Sequence, residues 1–169
     1  CVLETSFNPH KWMLTNFDCS IFYIQNKKYL LNALSIMPEY LKNKQSSTEQ
    51  VTDLRDWGIP LGRRFRALKL WSVINYYGVK GIQDYIRNDM HITKKLKEWI
   101  SKDDRFEIIA PTPLTLICFR LKGSNDENEK LLHNINKSGS MYLSHTKLDN
   151  KYTLRFSIGT STSSLDHVK

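Results

Sequence analysis

The spacing of apolar positions changes character along the chain, and each change marks a predicted element. Leu14, Phe17, Ile21, Phe22 and Ile24 mix aromatic and β-branched types over residues 12–24, a pattern of strand and turn. After a turn at Asn26-Lys27-Lys28, Leu30, Leu31 and Leu34 share one face of a short helix over residues 29–35. Residues 37–52 are polar and rich in Lys, Gln, Ser and Thr, the composition of an exposed loop that Trp57-Gly58-Ile59-Pro60 brings to an end. Ala67, Leu70, Trp71 and Ile74 then recur at three and four residues, with Gly78 as a helix stop.

A second helix is predicted over residues 80–101, its broad apolar face made by Ile82, Tyr85, Ile86, Met90, Leu96, Trp99 and Ile100. Beyond Asp103-Asp104 the period falls to two. Residues 106–110 and 114–121 read as strands broken apart by Pro111 and Pro113. Leu131, Leu132 and Ile135 give a helix over residues 127–137, stopped by Gly139, and residues 141–145 and 151–158 read as strands around the turn pair Asp149-Asn150. Leu165 and Val168 open a further helical segment, and no internal repeat is found. The predicted class is α/β, divided into residues 1–68 and a small α/β domain over residues 69–169.

Composition alters this picture little. With 169 residues, 40% of them hydrophobic, the chain can bury one core or two small ones. A net charge of +8 invites a nucleic-acid reading, since basic chains displace counterions from phosphate backbones. The distribution argues against it: residues 1–70 hold 10 basic and 6 acidic side chains, residues 71–169 hold 15 and 11, and neither forms a basic tail. Cys1, Cys19 and Cys118 are widely spaced and odd in number, which fits a reducing compartment. No apolar run reaches membrane-spanning length and no signal segment is read, so cytoplasm is the expected location. His91 has no ligand partner at helical spacing, and no metal site is expected.

Candidate chemistry begins at Lys11, set between His10 and Trp12 just ahead of an apolar segment. A lysine in partly apolar surroundings loses its proton at modest cost, because desolvation disfavours the ammonium form. The neutral amine can then condense with a carbonyl compound, of which pyridoxal phosphate is the usual one. Arg63, Arg64 and Arg66 invite a phosphate reading, but arginines in a first helical turn oppose the macrodipole and read better as partners of carboxylates.

Asn8-Pro9-His10-Lys11-Trp12, continued by Asn16-Phe17-Asp18-Cys19-Ser20, resembles the cofactor-lysine motif of the aromatic-L-amino-acid decarboxylases, a pyridoxal-phosphate family. Pro38-Glu39-Tyr40-Leu41-Lys42, Ile59-Pro60-Leu61-Gly62-Arg63-Arg64-Phe65-Arg66, Tyr77-Gly78-Val79-Lys80-Gly81, Arg105-Phe106-Glu107 and Cys118-Phe119-Arg120-Leu121-Lys122-Gly123 resemble further blocks of that family in the same order. One departure is seen: Ser6-Phe7-Asn8 runs straight into Pro9, two residues shorter than the family pattern, so that Asn8 aligns with either of two family asparagines.

The resemblance implies the C-terminal part of an aspartate-aminotransferase-like (fold type I) enzyme, with residues 1–68 ending the large cofactor-binding domain and residues 69–169 forming the small domain. It implies pyridoxal phosphate as cofactor, with Lys11 as its anchor, His10 lining its site and Asn8 steadying the lysine segment. Tyr40 becomes the proton donor on a loop that reaches the partner's site in a homodimer. Phe17 admits two readings, a core aromatic or a wall of the substrate-ring pocket, and Gly62 lies at the same pocket. The implied reaction converts an aromatic L-amino acid, of the dopa, tryptophan or tyrosine class, to its amine and carbon dioxide. Two alternatives stand beside it: an aldehyde synthase on the same scaffold, and a truncated partner without catalysis.

Overall fold

A computed structural model describes residues 4–35 and 53–168. Its elements, in order, are β1 (Glu4–Phe7), β2 (Ile21–Ile24), α1 (Lys27–Leu34), a 3-10 turn (Leu54–Trp57), α2 (Arg66–Lys102), β3 (Phe106–Ile108), β4 (Leu116–Leu121), α3 (Asn125–Ser138), β5 (Ser144–Leu148), β6 (Lys151–Ser157) and a second 3-10 turn (Leu165–Val168). Two compact units result, Cys1–Tyr76 and Tyr77–Lys169. Gly78 leaves helical angles with φ 68° and ψ 167°, a conformation that a residue without a Cβ adopts freely. The expected stop is thus found: α2 consists of two helical stretches that meet at a kink at Gly78. Among the described residues no helix is long and apolar enough to cross a membrane.

In the first unit β1 and β2 form an antiparallel pair with register Glu4↔Ile24 to Phe7↔Ile21. β1 was not foreseen, and the strand expected within residues 12–24 is confined to its last four positions. The Asn26 side chain accepts from the Lys28 N–H at 3.0 Å and so caps α1, which begins inside the expected turn.

The second unit is a four-stranded antiparallel sheet of order β3-β4-β6-β5. Ile117 and Phe119 of β4 alternate with Cys118 and Arg120, and pair with Phe156 and Leu154 of β6. They share a core with Ile92 and Leu96 of α2, Leu132 of α3, Leu143, Tyr152 and Ile158. Burying each large aliphatic side chain contributes about 1.5–3 kcal/mol, which makes this cluster the main source of the unit's stability.

Local signals close the elements around that core. Ser124 and Glu127 form a reciprocal capping box at the start of α3, and Gly139 ends it at φ 73°. Asp149 and Asn150 both take positive φ, 48° and 61°, as a two-residue hairpin between right-twisted strands requires. Asn128 is fully buried on α3, accepting from the Leu121 N–H at 2.8 Å and donating to the Leu121 carbonyl at 3.2 Å. Asn136 treats Leu143 the same way, at 2.8 and 3.0 Å. Each asparagine supplies backbone partners where a strand neighbour is lacking.

Candidate active site

Residues 8–20 form a loop closed by its own backbone. The Lys11 N–H donates to the Asn8 carbonyl at 3.0 Å, the Thr15 N–H to the Pro9 carbonyl at 3.1 Å, and the His10 N–H to the Cys19 carbonyl at 3.2 Å. Pro9, Thr15 and Cys19 are buried inside it, and Trp12, Met13 and Leu14 of the intervening turn are half-buried. Lys11 sits on that turn with its side chain exposed. The partly enclosed setting expected of it is not made by the loop itself.

Side chains brace both ends. The Ser20 hydroxyl donates to Asn8 Oδ1 at 2.5 Å. His10 Nδ1 lies 3.1 Å from the Cys19 N–H and 2.8 Å from the Cys19 carbonyl oxygen, so either neutral tautomer finds a complementary group there. Phe17 is 79% exposed, contrary to a core role, and stands edge-on to the His10 ring with centroids 5.1 Å apart.

A further brace comes from the start of α2. Arg66 donates Nε and Nη2 to Asp18 Oδ2 at 3.0 and 2.9 Å, and Arg64 donates Nη1 to Oδ1 at 2.9 Å. Lys69 Nζ donates to the Phe17 carbonyl at 2.9 Å. The Arg66 hydrogen bonds, more than any other influence, hold the Asp18 carboxyl below its ordinary range. Two of the three arginines are thus carboxylate partners, as the sequence suggested, although only Arg66 lies within the helix and Arg64 precedes it. Arg63 donates instead to the Leu54 carbonyl at 3.1 Å.

Asn8, His10, Lys11 and Phe17 are therefore gathered in one loop, and Gly62 lies two positions before a residue bonded to it. A Cβ added at Gly62 would meet nothing within 4 Å. Tyr40 lies outside the described residues. Asp18 and Lys69 were missed as contributors by the sequence reading. The one signal that pointed toward them was the arginine run itself, which called for a carboxylate without saying which.

Residues 3–122 match the family model described as the pyridoxal-dependent decarboxylase conserved domain. Tyrosine decarboxylase 2 of Narcissus pseudonarcissus is 44% identical over 171 residues, an alignment covering 97% of this chain and 34% of that protein. Phenylacetaldehyde synthase of Arabidopsis thaliana is 45% identical, with coverage of 97% and 35%. The crystal structure of Oryza sativa TDC with PLP and tryptamine superposes with a TM-score of 0.90 at 37% identity, covering 98% of this chain and 36% of that one. The chain spans about a third of the length of the curated relatives it matches.

Proposed function

The chain belongs to the pyridoxal-dependent decarboxylase family, and on that premise we propose that, in a polypeptide of its relatives' length, it carries the cofactor lysine of an aromatic-L-amino-acid decarboxylase. The observation carrying this reading is the braced loop that presents the Lys11 side chain outward between Asn8 and Cys19. An exposed primary amine beside an imidazole fits the aldehyde end of pyridoxal phosphate, and the loop supplies partners for that end alone.

Pyridoxal phosphate, when bound, withdraws the electron pair left at Cα as carbon dioxide departs. The residues of the chain then divide the remaining work. Lys11 anchors the cofactor covalently, and His10, fixed by the Cys19 backbone, lines its site. Asn8 holds the lysine turn through its carbonyl and Ser20 through the Asn8 side chain. Phe17 and Gly62 border the substrate ring. The phenol of Tyr40 delivers a proton to Cα, giving the arylalkylamine. Residues 1–68 end the large domain and 69–169 form the small one, in a cytoplasmic homodimer whose Tyr40 loop serves the partner's site.

Borohydride reduction of the cofactor-loaded complete polypeptide, followed by peptide mapping, tests the reading. The phosphopyridoxyl group is expected on Lys11, and its recovery on another lysine would reject the assignment.

A second reading has a specific observation behind it, the 45% identity to a phenylacetaldehyde synthase. In that reaction the amino acid, dioxygen and water yield aldehyde, carbon dioxide, ammonia and hydrogen peroxide. Some aldehyde synthases of the family resemble one another in carrying phenylalanine where this chain has Tyr40, which favours the decarboxylase. Measuring amine and peroxide together separates the two.

A further inference from the structure

We propose that Asp18 is a positioning residue for substrate recognition: gripped by Arg64 and Arg66, it holds Phe17 and the segment carrying Gly62 in fixed register, and so governs how tightly the aromatic substrate is bound. This rests on the assignment of Phe17 and Gly62 to the substrate pocket made above.

Both oxygens of Asp18 are engaged, Oδ2 by the Nε and Nη2 of Arg66 at 3.0 and 2.9 Å and Oδ1 by Nη1 of Arg64 at 2.9 Å. That occupancy makes Asp18 a positioning group rather than a catalytic one. A planar guanidinium donating twice also fixes direction, which a lysine could not do. On one side of the clamp the neighbouring residue is Phe17, whose carbonyl is held from the same helix by Lys69 at 2.9 Å and whose ring meets His10 at 5.1 Å. On the other side Gly62 precedes Arg64 by two positions. The bonds from Lys11 to Asn8, Thr15 to Pro9 and His10 to Cys19 do not pass through Asp18, so the lysine turn keeps its shape when the clamp is lost. Contacts to a substrate ring are the same before and during reaction, and loss of such uniform binding raises KM while leaving kcat in place.

The test uses the cofactor-loaded complete polypeptide with Asp18→Asn, Asp18→Glu and Lys69→Met. Asp18→Asn is expected to raise KM for the preferred aromatic amino acid about tenfold, the low end of the cost of a misplaced pocket wall, with kcat within about threefold of the parent. Asp18→Glu, which keeps the charge, should recover most of the loss, and Lys69→Met should shift KM in the same direction by less. Hydrogen exchange of the cofactor-free protein supplies a readout apart from activity: amides in residues 16–18 and 62–66 should exchange faster in Asp18→Asn, while those of Lys11 and Thr15 and of the four-stranded sheet do not change. An unchanged KM in Asp18→Asn overturns the proposal, even with faster exchange. A fall in kcat with KM constant overturns it too, as does failure of Asp18→Glu to recover where exchange has spread to the sheet. Label on a lysine other than Lys11 in the parent would reject the cofactor assignment instead, and the exchange result would still report on the clamp.

Discussion

The two units are held together by different physics. In Tyr77–Lys169, Ile92, Leu96, Ile117, Phe119, Leu132, Leu143, Tyr152, Leu154 and Ile158 form one apolar cluster to which helices and sheet all contribute. In Cys1–Tyr76 the buried positions among the described residues are Pro9, Thr15, Cys19 and Asp56, with no large aliphatic among them. There the shape is set by directed bonds: backbone closures at Asn8, Pro9 and Cys19, a hydroxyl on Asn8, and an ion-pair clamp on Asp18. A hydrogen bond contributes about 0.5–1.5 kcal/mol net and is lost abruptly with its partner, whereas buried apolar contacts fail gradually and share the load. The residues assigned to chemistry lie in the directionally bonded part. The contrast therefore predicts that changes near Lys11 alter reaction more than stability, and that changes in the second unit do the reverse.

The largest effect is expected at Tyr40. If it donates the proton to Cα, Tyr40→Phe in the complete polypeptide should lower amine formation by about 10²- to 10⁴-fold, the usual contribution of general acid catalysis. Cofactor content should be retained, since only a hydroxyl is removed. Aldehyde and peroxide should rise as amine falls. Equal amine output from parent and mutant would break the assignment.

Next in size is a cut in the second unit's core. Leu154 is fully buried at the pairing position opposite Phe119. Leu154→Ala should cost about 2–5 kcal/mol, from lost transfer energy and the cavity left behind. Denaturant unfolding of the complete polypeptide, with kcat/KM measured on the fraction still folded, checks it: lower stability with near-parental kcat/KM supports the division between units, and the opposite pattern dissolves it.

How much of this was legible beforehand follows the same division. Leu96 and Trp99, Gly139 and the Asp149-Asn150 turn announce themselves by period or by local backbone need, and much of the second unit was accordingly readable from pattern, although Ile92 and the Ser124–Glu127 capping box were passed over. In the first unit β1 escaped notice because Glu4-Thr5-Ser6-Phe7 has no alternation and is exposed throughout. Arg64 and Arg66 meet Asp18 across 46 and 48 positions, a separation that leaves no periodic trace. Asn128 and Asn136 look like surface asparagines until the strand ends they satisfy are in place. Lys11 was singled out by its setting between His10 and Trp12, and the roles of His10 and Asn8 were found through resemblance to a family motif. Periodicity could not single them out, because a loop built on specific bonds has no period.

A smaller effect should follow Gly62→Ser. Members of the family that act on histidine, and many plant members that act on tyrosine, resemble one another in carrying serine here, while those acting on dopa or tryptophan carry glycine. The added hydroxymethyl group has open space around it, so folding should be untouched. If Gly62 borders the substrate ring, the ratio of kcat/KM for dopa or tryptophan over histidine should fall by about 10- to 200-fold, the range of about 1–3 kcal/mol that pocket shape supplies. A ratio that does not move removes Gly62 from the pocket, and a loss of stability would show that the first unit is packed more tightly there than its exposed residues imply.

The smallest effect sharpens the comparison most, because it sets one ion pair against another. Arg66 holds the Asp18 carboxyl below its ordinary range, chiefly by hydrogen bonding. Arg105 holds Asp103 down to about 2, through its side chain first and its backbone N–H second. A carboxylate depressed in the folded state stabilises the fold above its unfolded value, near 4 in ordinary peptides, and the contribution is lost as pH falls through the folded value. What counts is the difference between the two states. Asp103 and Arg105 are two positions apart and stay neighbours when the chain unfolds, so the unfolded carboxyl is depressed as well and the difference is small. Asp18 loses partners 46 and 48 positions away, so its difference is nearly the whole shift. Asp18→Asn should therefore flatten the loss of stability as pH falls below the ordinary carboxylate range near 4, while Asp103→Asn follows the parent curve despite the larger shift at that site. Unfolding midpoints across that range, with the carboxyl titrations followed by NMR, decide it. A flatter curve for Asp103→Asn than for Asp18→Asn would mean that the Asp103–Arg105 pair is lost on unfolding and that the clamp on Asp18 contributes less than its bonds imply, so that long-range directed bonds are not what shapes the first unit.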